Sequence, residues 1–112
     1  MMNCFERNIQ EYNERNLCAR RIRLERLKHI GSNGVLTQQE LAERICSQGY
    51  PMTRITVSRI ESGIREITDF DLIQFAYALN IDVRYLLCGS KTVGEMVVEC
   101  GEAFKNNMRA GA

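Results

Sequence analysis

Read for the alternation of apolar and polar positions, the chain divides into short amphipathic segments with stop signals between them. Leu41, Ala42 and Ile45 recur at helical spacing and leave Gln38, Gln39, Glu43 and Arg44 on the other face. Thr37, followed three residues on by Glu40, forms a capping box, so a helix is expected to open at Gln38. Gly49-Tyr50-Pro51 interrupts it, because Gly admits unusual dihedrals and Pro cannot donate an N–H to a continuing helix. Thr53 can cap the next segment. There Val57 and Ile60 point inward, whereas Arg54, Ile55, Thr56, Ser58 and Arg59 lie on or beside the outer surface, and Gly63 closes the helix in a left-handed conformation.

The same pattern extends to both sides. A first helix is expected from about Asn16 to Ile30, burying Leu17, Ile22, Leu24, Leu27 and Ile30 to varying degree and stopped by Gly31-Ser32-Asn33-Gly34. Thr68 with Asp71 opens a fourth helix whose Phe70, Ile73, Ala76 and Leu79 suit a packed core, with Asn80 at its end. Asp82 caps a short fifth helix carrying Val83, Tyr85, Leu86 and Leu87, and Gly89-Ser90 closes the unit. The expected fold is all-α, five helices around one core. Beyond it, Val93, Met96, Val97, Cys100, Phe104 and Met108 repeat at three- and four-residue steps, which predicts a further amphipathic helix. At the other end Phe5, Ile9 and Tyr12 share helical spacing; this suits a helix that covers the domain or extends the first one, and equally a disordered start. The domain division is therefore a leader over 1–15, the five-helix unit over 16–89 and an amphipathic tail over 90–112.

Two short capped helices joined by a turn, the second presenting Thr, Arg and Ser outward, are the sequence form of a helix-turn-helix, whose second helix is shaped to enter the DNA major groove. Arg can pair bidentately with guanine O6 and N7, while Ser and Thr bond phosphates or base edges. Ile55 is either a contact to a thymine methyl or a residue packed under the turn.

With these residues set out, the stretch from about Ile22 to Leu87 resembles the phage-repressor and Cro type of helix-turn-helix, the Xre-like transcriptional regulators. Its matching segments are LTQQELAERI, TRITVSRIESG and TDFDLIQFAYALNIDVRYLL. The resemblance implies a lambda-repressor-like domain in which Gln38, with Gln39 beside it, meets a phosphate and Thr53, Arg54, Ile55 and Arg59 face base edges, flanked by Thr56 and Ser58. Ser62, Gly63, Ile64 and Arg65 would meet the duplex backbone. It further implies a structural ion pair between Glu61 and an arginine of the first helix, for which Arg26 is the equivalent. The turn CSQGYPM is longer than is usual in such proteins, so Gln48 and Tyr50 are either added DNA contacts or the accommodation of an insertion.

Composition narrows the alternatives. At 112 residues the chain suits one compact domain with a modest tail. No apolar run is long enough to cross a bilayer, and no signal-peptide pattern opens the chain, so a cytoplasmic protein without a membrane partner is expected. The formal net charge is only +1, yet Arg20, Arg21, Arg23, Arg26 and Lys28 crowd the first helix and Arg54, Arg59 and Arg65 the second half of the motif. Most first-helix charges are read as a solvated face pairing with Glu25. Cys4, Cys18, Cys46, Cys88 and Cys100 lack metal or redox spacing and are expected as free thiols; no cofactor or metal is implied. The sole histidine, His29, sits where a helix ends and has no catalytic motif around it, which excludes an enzyme as the leading reading.

The expected function is thus a sequence-specific double-stranded DNA-binding regulator, a repressor acting by operator occupancy. The stripe Val93, Met96, Val97, Cys100, Phe104 and Met108 would either fold back on the same domain or, as the favoured expectation, join two copies, which then read a near-palindromic operator. The alternative is an antitoxin-like interaction module in which that stripe binds another protein and DNA binding is secondary.

Overall fold

The computed structural model describes residues 16–111, with side chains through Lys105. Helix α1 spans Ala19–Lys28, α2 Gln38–Ser47, α3 Arg54–Glu61, α4 Asp69–Ala78, α5 Val83–Cys88 and α6 Val93–Gly111. A two-stranded antiparallel hairpin, β1 Ile30–Gly31 and β2 Gly34–Val35, joins α1 to α2. The all-α fold expected from the pattern is the one observed, with this small hairpin added.

Local chemistry sets the boundaries. The Thr37 hydroxyl accepts from Glu40 N at 3.1 Å and Glu40 Oε1 accepts from Thr37 N at 3.1 Å, so both sides of the capping box are made. Thr68 and Asp71 repeat it at α4, at 3.0 and 3.2 Å. Thr53 and Asp82 cap α3 and α5 by accepting from Thr56 N and Arg84 N. Helix α3 ends in a Schellman turn, with Gly63 at φ 77° and Ile64 N donating to Arg59 O at 3.0 Å. Asn80, at φ 53°, serves the same purpose after α4, where Ile81 N donates to Ala76 O.

The core is a single cluster in which Ile22, Leu36, Leu41, Ile45, Val57, Ile60, Phe75, Leu79 and Leu86 are fully enclosed. Helix α1 corrects one expectation. Of its expected buried set only Ile22 is enclosed; Leu17, Leu24 and Leu27 are about half exposed and Ile30 is 82% exposed. The inward positions are Cys18, Ala19, Ile22, Glu25 and Arg26, because Arg26 has a buried partner on α3 that fixes the rotation of the helix. The helix also stops at Lys28 rather than Ile30, since Ile30 pairs with Val35 across the hairpin.

Helix α4 corrects a second. Phe70 and Ile73 are exposed, and Leu72, Phe75, Ala76 and Leu79 face the core. The capping box turns Asp71 into the body, which swings the preceding Phe70 outward. Of the α5 residues Leu86 alone is fully enclosed. Arg21 reaches across from α1 and donates through Nη1 to Leu86 O and Leu87 O at 3.1 and 3.0 Å, satisfying carbonyls that the helix end leaves open.

Along α6, Met96 is buried and Cys100 partly so, while Val93, Val97 and Phe104 are each more than 60% exposed. The side chain of Met108 lies outside the described residues, as do Cys4, Phe5, Ile9 and Tyr12.

Candidate nucleic-acid interface

The outer surface of α3 owes its orientation to one buried ion pair. Arg26 donates through Nε to Glu61 Oε2 at 2.8 Å and through Nη2 to Oε1 at 3.0 Å, while Nη1 donates to Leu36 O at 2.8 Å. Gln38 Nε2 adds a bond to Glu61 Oε1 at 3.2 Å. The pair ties α1, the start of α2 and the end of α3 together, and every polar atom in it is partnered. It has an electrostatic consequence as well. Glu61 is the one carboxylate of α3, and with it turned inward the exposed side of that helix carries guanidinium charge alone.

On that side Thr53, Arg54, Ile55 and Arg59 are exposed, and Thr56 and Ser58 are half-buried. Val57 and Ile60 hold the opposite face against the core with no exposure at all. Ile55 is 53% exposed, so it lies on the surface rather than under the turn. Ser62 donates its hydroxyl to Arg59 O at 3.2 Å, and Arg65, just past the Schellman turn, reaches back to donate through Nη1 to Thr56 Oγ1 at 3.1 Å. Thr56 Oγ1 also accepts from Thr53 Oγ1 at 3.0 Å. Arg65, Thr56 and Thr53 therefore form one polar cluster at the start of α3, where the helix dipole is positive.

Gln38 and Gln39 open α2, but neither amide is wholly free for a ligand. Gln38 bonds Glu61, and Gln39 Nε2 bonds Glu43 Oε1 at 3.0 Å. The long turn packs on the body of the domain. Gln48 Nε2 donates to Gln74 Oε1 at 2.7 Å, and the Tyr50 hydroxyl donates to Asp71 Oδ1. The Asp71 carboxylate pushes the Tyr50 hydroxyl above its ordinary pKa, chiefly through that hydrogen bond, and burial adds to the effect. Gln48 and Tyr50 are thus anchored to α4, and the insertion is accommodated by packing.

Of the first-helix cations, Arg26 is buried in the ion pair, Arg21 caps α5 and Lys28 pairs with Glu25 at 2.8 Å. Arg20 and Arg23 are exposed. His29 is held on both ring nitrogens, Nε2 by Leu79 O at 3.0 Å and Nδ1 by Arg44 Nη1 at 3.3 Å, an arrangement that serves the packing of α1 against α2 and the end of α4. Burial pushes the Cys18 thiol up to about 11, and Cys46 donates through Sγ to Met52 O at 3.1 Å. Among the described residues no group of His, Cys, Asp or Glu is placed to hold a metal ion, and no helix is long and apolar enough to cross a membrane.

One residue of this region has no local signature in the sequence. Asn16, almost fully buried, donates through Nδ2 to Arg65 O at 2.7 Å and accepts from Ile67 N through Oδ1 at 2.8 Å. Its partners lie 49 and 51 positions away, so only the fold brings them together.

A family model described as helix-turn-helix matches residues 36–86, the stretch that begins at the enclosed Leu36 and ends at the enclosed Leu86. Comparison with curated proteins and with solved structures gives no match. The matched stretch contains both capped helices, the turn between them and the two helices that close the core. Over residues 36–86 the chain is similar to helix-turn-helix domains of the Xre and Cro type, a likeness that supports a DNA-binding regulator in general.

Proposed function

We propose that this protein is a sequence-specific double-stranded DNA-binding regulator that represses by occupying an operator, and that it does so as a homodimer. The observation that carries this reading is the outer face of α3, where Thr53, Arg54, Ile55 and Arg59 stand exposed on a helix capped at both ends and buried on its other side. Arg54 and Arg59 are the base-reading side chains, with Thr56 and Ser58 beside them. Gln38, Gln39, Ser62 and Arg65 approach phosphates on either flank, and Arg65 is the one charged side chain of the four.

Helix α6 supports the dimer. Val93, Val97 and Phe104 form an exposed apolar stripe continuous with the half-buried Cys100, and a self-complementary stripe of this kind suits a two-fold pair. Two recognition helices then lie about 34 Å apart, one turn of B-DNA, and read a near-palindrome. The same stripe supports a second reading, in which α6 binds a different protein as antitoxins of this architecture do.

Selection of bound fragments from random duplexes tests the first reading. Enrichment of two inverted half-sites about 34 Å apart is the expected result, and recovery of no common sequence contradicts it. Sedimentation of the full chain separates the two roles of α6: a dimer that Val97→Asp and Phe104→Asp convert to monomer is expected here, and a monomer with intact α6 favours the second reading.

A further inference from the structure

We infer that Asn16 is a positioning residue for DNA binding, holding the backbone of Arg65 so that its guanidinium is set in advance for a phosphate oxygen. The inference rests on the proposed role of the α3 face and adds to it a residue from before the first helix. The segment after α3 has no regular structure of its own between Gly63 and Thr68, yet the Arg65 backbone is bonded at both its groups. Its N–H donates to Arg59 O at 3.1 Å and its carbonyl accepts from Asn16 Nδ2 at 2.7 Å. Two residues on, Ile67 N donates to Asn16 Oδ1 at 2.8 Å, so one amide side chain closes both ends of a three-residue arc. Asn16 is only 5% exposed, and both polar atoms of its amide are bonded to this arc.

The side chain is fixed as well. Arg65 Nη1 donates to Thr56 Oγ1, which also accepts from Thr53 Oγ1; with two bonds accepted, the Thr56 hydroxyl proton is left to donate. The guanidinium has five N–H donors, of which this contact takes one. Donors from a cation and a hydroxyl thus converge at the positive end of α3, and the group that satisfies them is an anion rich in acceptors, a backbone phosphate. An arginine that is already ordered loses less rotamer freedom on binding than one released from solvent.

Because a phosphate contact is independent of sequence, the test needs only a mixed-sequence duplex, with affinity followed by fluorescence anisotropy across a salt series. Arg65→Ala is expected to weaken binding roughly threefold or more at low salt and to lower the salt slope by about one. Asn16→Ala in the parent chain is expected to give a clear part of that loss and a reduced slope, and in the Arg65→Ala background to change affinity by less than about 1.5-fold. Thermal melting establishes that each variant folds. Where Asn16→Ala does not, Asn16→Asp carries the same cycle: it keeps the acceptor for Ile67, replaces the donor to Arg65 O with a carboxylate oxygen and adds one negative charge, whose direct effect on DNA affinity is read in the Arg65→Ala background, so the loss in the parent chain is expected to exceed the loss there. An equal loss in both backgrounds, or none in either, overturns the positioning role while leaving Arg65 at the interface. An Arg65→Ala chain that binds like the parent overturns it by removing Arg65 from the interface, a failure of the functional reading itself.

Discussion

Arg59 and Arg65 are neighbours on one surface, and different roles are proposed for them. Arg59 stands exposed on α3 and is proposed to read a base edge, so Arg59→Ala should lower specific affinity by about 1–3 kcal/mol and blur preference at one base pair, measured by competition among duplexes that vary at each position. Arg65→Ala should instead weaken all duplexes alike. Equal behaviour of the two variants across sequences would remove the distinction. The buried pair makes a separate prediction: Glu61→Gln strands the Arg26 guanidinium, whose partners are otherwise Leu36 O and the lost carboxylate, and should cost about 3–5 kcal/mol in urea unfolding. At this scale the sequence was legible where a residue type carries its own chemistry, as with the guanidinium groups of α3. It was silent on Asn16, because an amide that clasps backbone 49 residues away leaves no mark on its neighbours in the chain.

Among the elements, the starts of α2, α3, α4 and α5 could be read directly at Thr37, Thr53, Thr68 and Asp82, since a cap is a contact within one turn of chain. Burial was harder to read. The faces of α1 and α4 that meet the core include Glu25, Arg26 and Asp71, and each of these charged side chains is bonded within the fold. Counting apolar positions therefore placed Leu24, Phe70 and Ile73 inside, although it placed Ile22, Ala76 and Leu79 correctly. The α2 cap carries a pH signature. Hydrogen bonds from Ser32 N–H first, then from Thr37 N–H and the Ser32 hydroxyl, hold the Glu40 carboxyl down to about 2. A lowered folded-state pKa means that this stabilisation is whole above the ordinary value of 4.5 and is lost as pH falls towards 2. Thermal melts should show a shallower acid decline between those limits for Glu40→Gln than for the parent, and parallel curves would contradict the role of the cap.

Among the described residues, the molecule is a core that orients one face of α3 and an α6 on which Val93, Val97 and Phe104 stay exposed. The first part follows from physical constraints that agree with one another: caps that bound the helix, a core that buries Val57 and Ile60, and a carboxylate drawn inward so that the outer side is uniformly basic. On the proposed reading, dimerisation through α6 would convert one modest contact surface into two held at fixed spacing, and a chain with a net charge of only +1 would gain affinity for DNA in that way. The α6 stripe was visible in the periodicity of Val93, Val97 and Phe104, whereas that spacing names no occupant, because any apolar surface of matching shape satisfies it.

The most direct test is a binding comparison between a duplex recovered by selection and the same duplex scrambled, made with the parent chain and with Arg54→Ala/Arg59→Ala. The parent is expected to prefer the selected duplex by roughly 10³-fold or more, and the double variant to lose most of this preference while still melting cooperatively. A folded double variant that discriminates as well as the parent would contradict it.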